Sequence, residues 1–462
     1  MRIFTKEFLI PKHELEMEGV SSLRDYYESR LRRELPSLHK AIRFVITKTD
    51  DAGYHCELDV LVPEEGESHA VFSQRTSIFD ARARTAEKTD TFTAALLIPT
   101  GIGAELGGHC GDGNAVARLI GSACDTLLTH PNVVNASDIN EMLPNTHYVE
   151  GSILTRVFAG RAGLQPVRAN RILMLMDRHA ERFFNDEVIN AVSSARVTLG
   201  IDCDVQEMAD KTESVSKYSA SGRATGEIRF VEKIFEPIER SRGEYDAVGL
   251  STFLEVPEDS HSRYFHDDEM INPWGGIEAM LTHSIAETFN IPCAHSPMMT
   301  SSAVNELQLG VVDPRKAPES ASVTYLHCIL KGLHRAPRVV SFDQGIALEH
   351  ISCLIIPDGC VGLPTLSALE NGIPVIAVRE NRNTMKNDLH ELPFRSDKLF
   401  IVENYLEAVG IMQALKVGVS PRAIRRPIAH TAVLPTSGQA LQSDFAAPLL
   451  EQGATSAPPL IF

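Results

Sequence analysis

Residues 94–132 read AALLIPTGIGAELGGHCGDGNAVARLIGSACDTLLTHPN. The stretch runs from a short apolar segment through a glycine-rich loop into a helix-period segment, then into a second apolar segment ending in His130. Near-continuous apolar strands separated by helices are the pattern of a parallel sheet covered on both faces. The same alternation recurs downstream in NRILMLMD, YDAVGLSTFL, GGIEAMLTHSIAETFN, IPCAHSP, ISCLIIP, IPVIAV and NYLEAVGIMQALKVG. The expected fold is therefore α/β, with two Rossmann-like lobes and a small α+β unit before them.

The expected boundaries are residues 1–88 for the N-terminal unit, 89–250 and 251–419 for the two lobes, and 420–462 for an extended or disordered tail. A chain of 462 residues fits roughly two to four domains. Within the N-terminal unit, LRDYYESRLRRELPSLHKAI has helical period and RFVITKTDDAGYHCELDVLV reads as two strands around a turn. Such a unit suits a scaffold or a homo-oligomer contact. The polar stretch KTESVSKYSASGRATG, residues 211–226, reads as a mobile loop.

Composition narrows the function. A net charge of −17 argues against nucleic acid and acidic membrane surfaces as partners. The first residues carry no long apolar core of a secretory signal, and no run approaches a membrane span. Eight scattered cysteines without a CxxC pair point to reduced thiols and a cytoplasmic setting.

In the opening loop, Gly101, Gly103 and Gly107 give G-x-G-x-x-x-G after a strand. A dinucleotide fingerprint has its third glycine one position earlier and runs straight into a helix. Here a second turn, GHCGDGN, intervenes, so NAD(P) binding is not the favoured reading. A wider anion-binding nest is, built from Thr100, Gly101, Gly103, Gly107 and Gly108. The next strand delivers His130, Asn132 and Asn135 to its C-terminal end, where open α/β sheets bind ligands. Glu150 follows at another element end. In the second lobe, Trp274, Gly275 and Gly276 open a helix and offer a further anion site or a hinge. The insertion 255–273 holds His261, His266, Asp267, Asp268 and Glu269, whose spacing fits a solvated loop better than a metal site.

Cys293 and His295 alternate on one strand and so share a face. That pair suits a thiolate nucleophile, a thiol base or half of a metal site. Cys360 sits at a strand-to-helix turn between Gly359 and Gly362. Residues 353–381 resemble the strand–Cys–Gly turn of the aspartate/glutamate/hydantoin racemase superfamily. The resemblance implies two lobes, each giving one cysteine on opposite sides of a substrate carbon. The first lobe has histidine in TLLTHPN where that family has cysteine, so Cys110 or His130 would substitute. The same segment is similar to a glycosyltransferase nucleotide lobe, in which Glu370 and Glu380 would contact a sugar or ribose.

A longer resemblance covers roughly residues 92–419. The combination of PTGIGAELGGHCGD, THPNVVN, IPCAHSP and the late cysteine–glycine turn resembles the uncharacterised family called domain of unknown function 3326. Its pattern falls on Thr100, Gly101, Gly103, Gly107, Gly108 and Asp112, on His130, Asn132 and Asn135, on Cys293 and His295, and on Cys360. This chain departs from it in Cys110, where a small residue is usual, and in its first 88 residues. The resemblance implies no activity.

The residues themselves point to an enzyme acting on a small anionic metabolite in an interlobe cleft. Cys293, His295, Cys360 and His130 would be the acid–base or nucleophilic groups, with Asp112 orienting one of them, in isomerase- or lyase-like chemistry. Glu150, Asn132, Asn135 and Trp274 would hold the ligand, and no cofactor is required. Two alternatives stand beside it. One is a zinc or iron enzyme with Cys293, His295 and Cys360 as ligands; the other is a nucleotide- or metabolite-binding regulatory protein without catalysis.

Overall fold

Two parallel sheets carry the fold in the computed structural model. It describes residues 1–15, 23–34, 39–64, 70–73, 76–135, 142–257, 259–299, 301, 309–321, 325–392, 397–428 and 430–431. The first sheet has six strands in the spatial order Leu399–Val402, Val375–Val378, Ile351–Pro357, Thr93–Leu96, Thr126–Thr129 and Thr146–Tyr148. All of its pairings are parallel. Three of its four inner strands, TAAL, ISCLIIP and VIAV, are buried at every position, which is why they read as unbroken apolar runs rather than as alternation. The second has four parallel strands, in the order Cys293–His295, Ala247–Ser251, Arg171–Met176 and Asp202–Glu207. The α/β reading holds.

The strands of both sheets come from either side of residue 250. The first sheet takes 93–148 and 351–402, and the second takes 171–251 and 293–295. The second sheet is thus threaded into the connection between halves of the first, an arrangement set by non-local strand pairing that local patterning does not encode. The N-terminal strands are not a separate unit either. Arg2–Pro11, Gly53–Val62 and Lys40–Thr49 join Glu213–Tyr218, Ala224–Arg229 and Val361–Gly362 in one six-stranded antiparallel sheet. Residues Met1–Gly418 form a single compact unit. Most of the segment expected to be a disordered tail lies outside the described residues.

The expected mobile loop at 211–226 is instead a β-hairpin, Glu213–Tyr218 paired with Ala224–Arg229. Its pattern is inverted: Ser214 and Ser216 face inward while Val215 is exposed. The inward hydroxyls donate to the carbonyls of Phe253 at 3.3 Å and Pro273 at 2.6 Å. Apolar alternation therefore carried no trace of the strand. At the hairpin turn, buried Arg223 donates through Nε to Glu57 Oε2 at 2.5 Å, and Arg43 reaches Asp59 Oδ2 at 2.6 Å. The hairpin also reaches the glycine loop, since Ala224 N–H donates to the Gly101 carbonyl at 2.7 Å.

Candidate functional site

The strand Thr93–Leu96 ends in the glycine-rich loop, and the helix Asn114–Ser122 starts only after the second turn. Gly101 has φ +78°, and a Cβ there would stand 2.8 Å from the Ala224 carbonyl oxygen. The loop therefore needs glycine for the backbone itself. Several of its amides are turned toward acceptors of the protein. Gly107 N–H donates to Asp112 Oδ1 at 2.9 Å, Leu106 N–H to Asn381 Oδ1 at 2.9 Å, and Cys110 N–H to Glu319 Oε1 at 2.5 Å. Of the expected anion nest, the Gly107 amide is taken by the chain's own Asp112. Thr100, Gly101 and Gly108 line the adjacent cavity, whereas Gly103, Gly107, Gly276 and Asp112 do not. Burial pushes the Asp112 carboxyl up to about 8.

His130 and Asn132 hold this loop from below. Ile98 N–H donates to His130 Nε2 at 3.1 Å, and Asn132 Nδ2 donates to the carbonyls of Ile98 at 2.9 Å and Gly107 at 2.8 Å. Burial and the nearby His283 ring push His130 down to about 4. It is therefore neutral at pH 7, with its proton on Nδ1 because Nε2 accepts. Asn135 takes a hydrogen bond from Tyr148 Oη at 2.9 Å.

A cavity of about 100 Å³ opens at the C-terminal ends of both parallel sheets, lined by the loops just described and by one helix, Gly275–Phe289. This helix presents Gly275, Glu278, Ala279, Thr282 and His283 to it, the i, i+3, i+4, i+7, i+8 stripe of one helical face. A Cβ on Gly275 would stand 2.7 Å from Thr100 Cγ2, so glycine lets the first turn press against the loop. Asn272 Oδ1 caps that turn, accepting from Trp274 N–H at 3.0 Å and Gly275 N–H at 3.2 Å.

Two carboxylate–imidazole pairs border the cavity. His295 Nδ1 lies 3.1 Å from Glu278 Oε1, and the other ring nitrogen lies 2.9 Å from Thr252 Oγ1. His283 Nδ1 lies 2.6 Å from Glu150 Oε1, in a charge contact bent away from straight hydrogen-bond geometry. Glu150 Oε2 accepts from Ser152 N–H at 2.9 Å and Ile153 N–H at 3.2 Å, capping the helix Gly151–Phe158. Burial alone would raise the Glu150 carboxyl, but His283 and these donors outweigh it and hold it below its ordinary range. All four line the cavity, but in each pair one partner is deeply buried and the other more accessible. The side chains of His295 and Glu150 are 1% and 2% exposed, those of Glu278 and His283 27% and 15%.

Sequence reasoning found the more buried members, His295 and Glu150, and missed the accessible ones. The missed signal was the polar stripe of Glu278, Thr282 and His283 along one face of a largely apolar helix.

The cysteines fall elsewhere. Cys293 is fully buried among apolar side chains such as Ile277, Leu281 and Ile285, and its thiol is pushed well up by burial. It does share the strand face of His295, but lies two residues, about 7 Å, deeper in the sheet. Cys360 lines a different cavity of about 140 Å³ with Phe44, Leu363 and Met385, and burial raises its thiol as well. Cys293 and Cys360 therefore do not face one cavity, whereas His130, a first-lobe residue that the racemase resemblance would set opposite Cys360, lines the same 140 Å³ cavity as that cysteine. Among the described residues, no three His, Cys, Asp or Glu side chains are grouped to hold a metal ion. This removes the ligand set Cys293, His295 and Cys360. In the insertion, residues Ser260–His266 form a short helix with Tyr264 buried, not a wholly solvated loop.

A larger cavity of about 410 Å³ adjoins the first and shares Cys110, Asn135, Asn272, Glu278 and His295 with it. Trp274 forms part of its wall, edge-on to His261 with ring centres 4.6 Å apart. Cys110 lies on both cavities, its thiol donating to the Asn135 carbonyl at 3.0 Å and pushed well up by burial. Among the described residues lining either cavity there is no lysine or arginine.

A family model described as "Protein of unknown function (DUF3326)" matches residues 93–425. The chain belongs to this family. The DUF3326 match begins at the first strand of the six-stranded parallel sheet, so both parallel sheets and every residue of the two pairs fall within it. The strands before residue 62 fall outside it. A relative named an uncharacterized lipoprotein, from Synechococcus sp., is 34% identical over 343 residues, covering 72% of this chain and 93% of the relative. No solved structure matches. Among the described residues, no helix is long and apolar enough to cross a membrane.

Proposed function

We propose that this chain is an enzyme that moves protons on a small molecule by histidine–carboxylate catalysis, in isomerase- or lyase-like reactions. The single observation that carries it is the reciprocal arrangement of the two pairs. One helix offers an accessible carboxylate, Glu278, and an accessible imidazole, His283, each backed by a buried partner of the opposite kind. Backing by a buried group fixes the orientation of the reacting one, the logic common to acid–base sites. Glu278 would take a proton from a carbon beside a carbonyl, and His283 would deliver one to the substrate. Exchange with water would then restore both groups. The thiol route is the weaker one, because raised thiols at Cys110, Cys293 and Cys360 lack the thiolate a nucleophile needs. The eight free cysteines support a reducing, cytoplasmic setting, while the name of the Synechococcus relative points to an anchored protein.

Deuterium wash-in tests the chemistry before the substrate is identified. Pools of small carbonyl compounds, amino acids and hydroxy acids are incubated with the protein in heavy water and read by proton NMR. Carbon-bound deuterium is expected in one pool, falling by roughly 100-fold or more in Glu278→Gln and in His283→Asn. Absence of wash-in from every pool, or wash-in that persists in both variants, contradicts the reading.

A further inference from the structure

We infer that the substrate is a cationic amphiphile, an amine-bearing molecule whose charged head lies at Glu278 and whose apolar or aromatic body fills the 410 Å³ cavity. The inference rests on the acid–base reading of the cleft and adds the substrate class to it.

Several groups that could hold an anion are engaged within the chain. The helix start at Gly275 is capped by Asn272, and the glycine-loop amides of Gly107 and Cys110 donate to Asp112 and Glu319. Two cations on the segment around residue 315, next to Glu319, are also engaged. Arg315 is held by Asp313 at 2.6 Å and Glu105 at 3.1 Å. Lys316 Nζ donates to the carbonyls of Tyr264 and Asp267, both at 2.6 Å. An anion entering the larger cavity would meet Glu278 with no lysine or arginine among the described residues that line it.

A cationic head meets the reverse. Glu278 stands at the junction of the two cavities, 27% exposed and already oriented by His295. Glu319 lines the larger cavity behind it. The walls beyond are Trp274, Phe265, Met298, Met299, Leu254 and Ile329. Aromatic faces and thioethers attract both apolar groups and a nearby ammonium. The cavity falls in the range of pockets that enclose small organic molecules, with few polar groups placed to orient them.

The test compares three matched probes on the full chain by calorimetric titration: phenethylamine, phenethyl alcohol and hydrocinnamate. The amine is expected to bind at least tenfold more tightly than the alcohol, and the carboxylate more weakly than either. In Glu278→Gln the amine should fall to the level of the alcohol, and Trp274→Ala should weaken amine and alcohol alike. Carboxylate binding equal to or tighter than that of the amine overturns the substrate class, as does an amine preference that survives Glu278→Gln. So does failure of all three probes to bind. Those results leave the wash-in experiment free to uphold the acid–base reading. Loss of wash-in support alongside a Glu278-dependent amine preference would instead leave a binding site for amines without the chemistry.

Discussion

His283 and Glu150 meet at 2.6 Å although the histidine comes from a helix and the glutamate from the end of a strand more than a hundred residues earlier. The contact joins the two parallel sheets, since Glu150 follows the six-stranded sheet and the helix of His283 packs on the strand Cys293–His295. It also leaves the far ring nitrogen of His283 available to the cavity.

Glu150→Gln removes a buried charge whose folded-state pKa is held below its ordinary value. A depressed carboxyl stabilises the fold above its unfolded pKa of about 4.3, and that contribution disappears as pH falls through the depressed value. The variant should therefore be less stable than wild type by about 3–5 kcal/mol at pH 7, with the gap narrowing below about pH 4. Urea titrations at several pH values read this directly; a gap independent of pH would show that the charge contributes nothing.

Asp112 presents the opposite sign, because burial raises its carboxyl to about 8. Such a group favours the fold while protonated, so stability falls as pH rises from about 4 to about 8. Asp112→Asn keeps an acceptor for Gly107 N–H and cannot ionise. Its melting temperature at pH 9 should exceed that of wild type by roughly 5 °C or more, and at pH 4 the advantage should vanish. A lower melting temperature at pH 9 would refute the assignment.

Gly275 is set by contact rather than by ligand chemistry, since its added Cβ would stand 2.7 Å from Thr100 Cγ2. Gly275→Ala should cost about 1–3 kcal/mol of stability. Thr100→Ser removes the opposing methyl, so the double variant should recover most of the loss. Additive losses in the double-mutant cycle would place the strain elsewhere.

Cys293→Ala and Cys360→Ala should leave proton exchange within twofold of wild type and each cost about 1–2 kcal/mol of stability. Both thiols should resist a disulfide reagent until the protein unfolds. Abolished exchange with an intact fold would restore a catalytic thiol.

How much of this was legible depended on whether a signal was local. The strands Thr93–Leu96 and Ile351–Pro357 were plain because burial on both faces leaves an apolar run. The residues that follow strands, His130, Glu150 and His295, stood out because strand ends in such sheets collect ligand groups. The threading of the four-stranded sheet through the six-stranded one was not readable, since it is fixed by pairings such as Ile355 with Leu96, far apart in sequence. The hairpin at Glu213–Arg229 was hidden by its inward serines. Glu278 and His283 were hidden by the apolar helix around them. The glycines of the loop were correctly seen as necessary, but the acceptor of the Gly107 amide is the chain's own Asp112, which loop spacing alone does not reveal.

The pH dependence of deuterium wash-in tests the central claim most directly. Two groups acting as base and acid give a bell-shaped profile. Glu278→Gln should erase one limb and His283→Asn the other, while each variant keeps its fold. A profile whose two limbs survive both substitutions would contradict catalysis by these pairs.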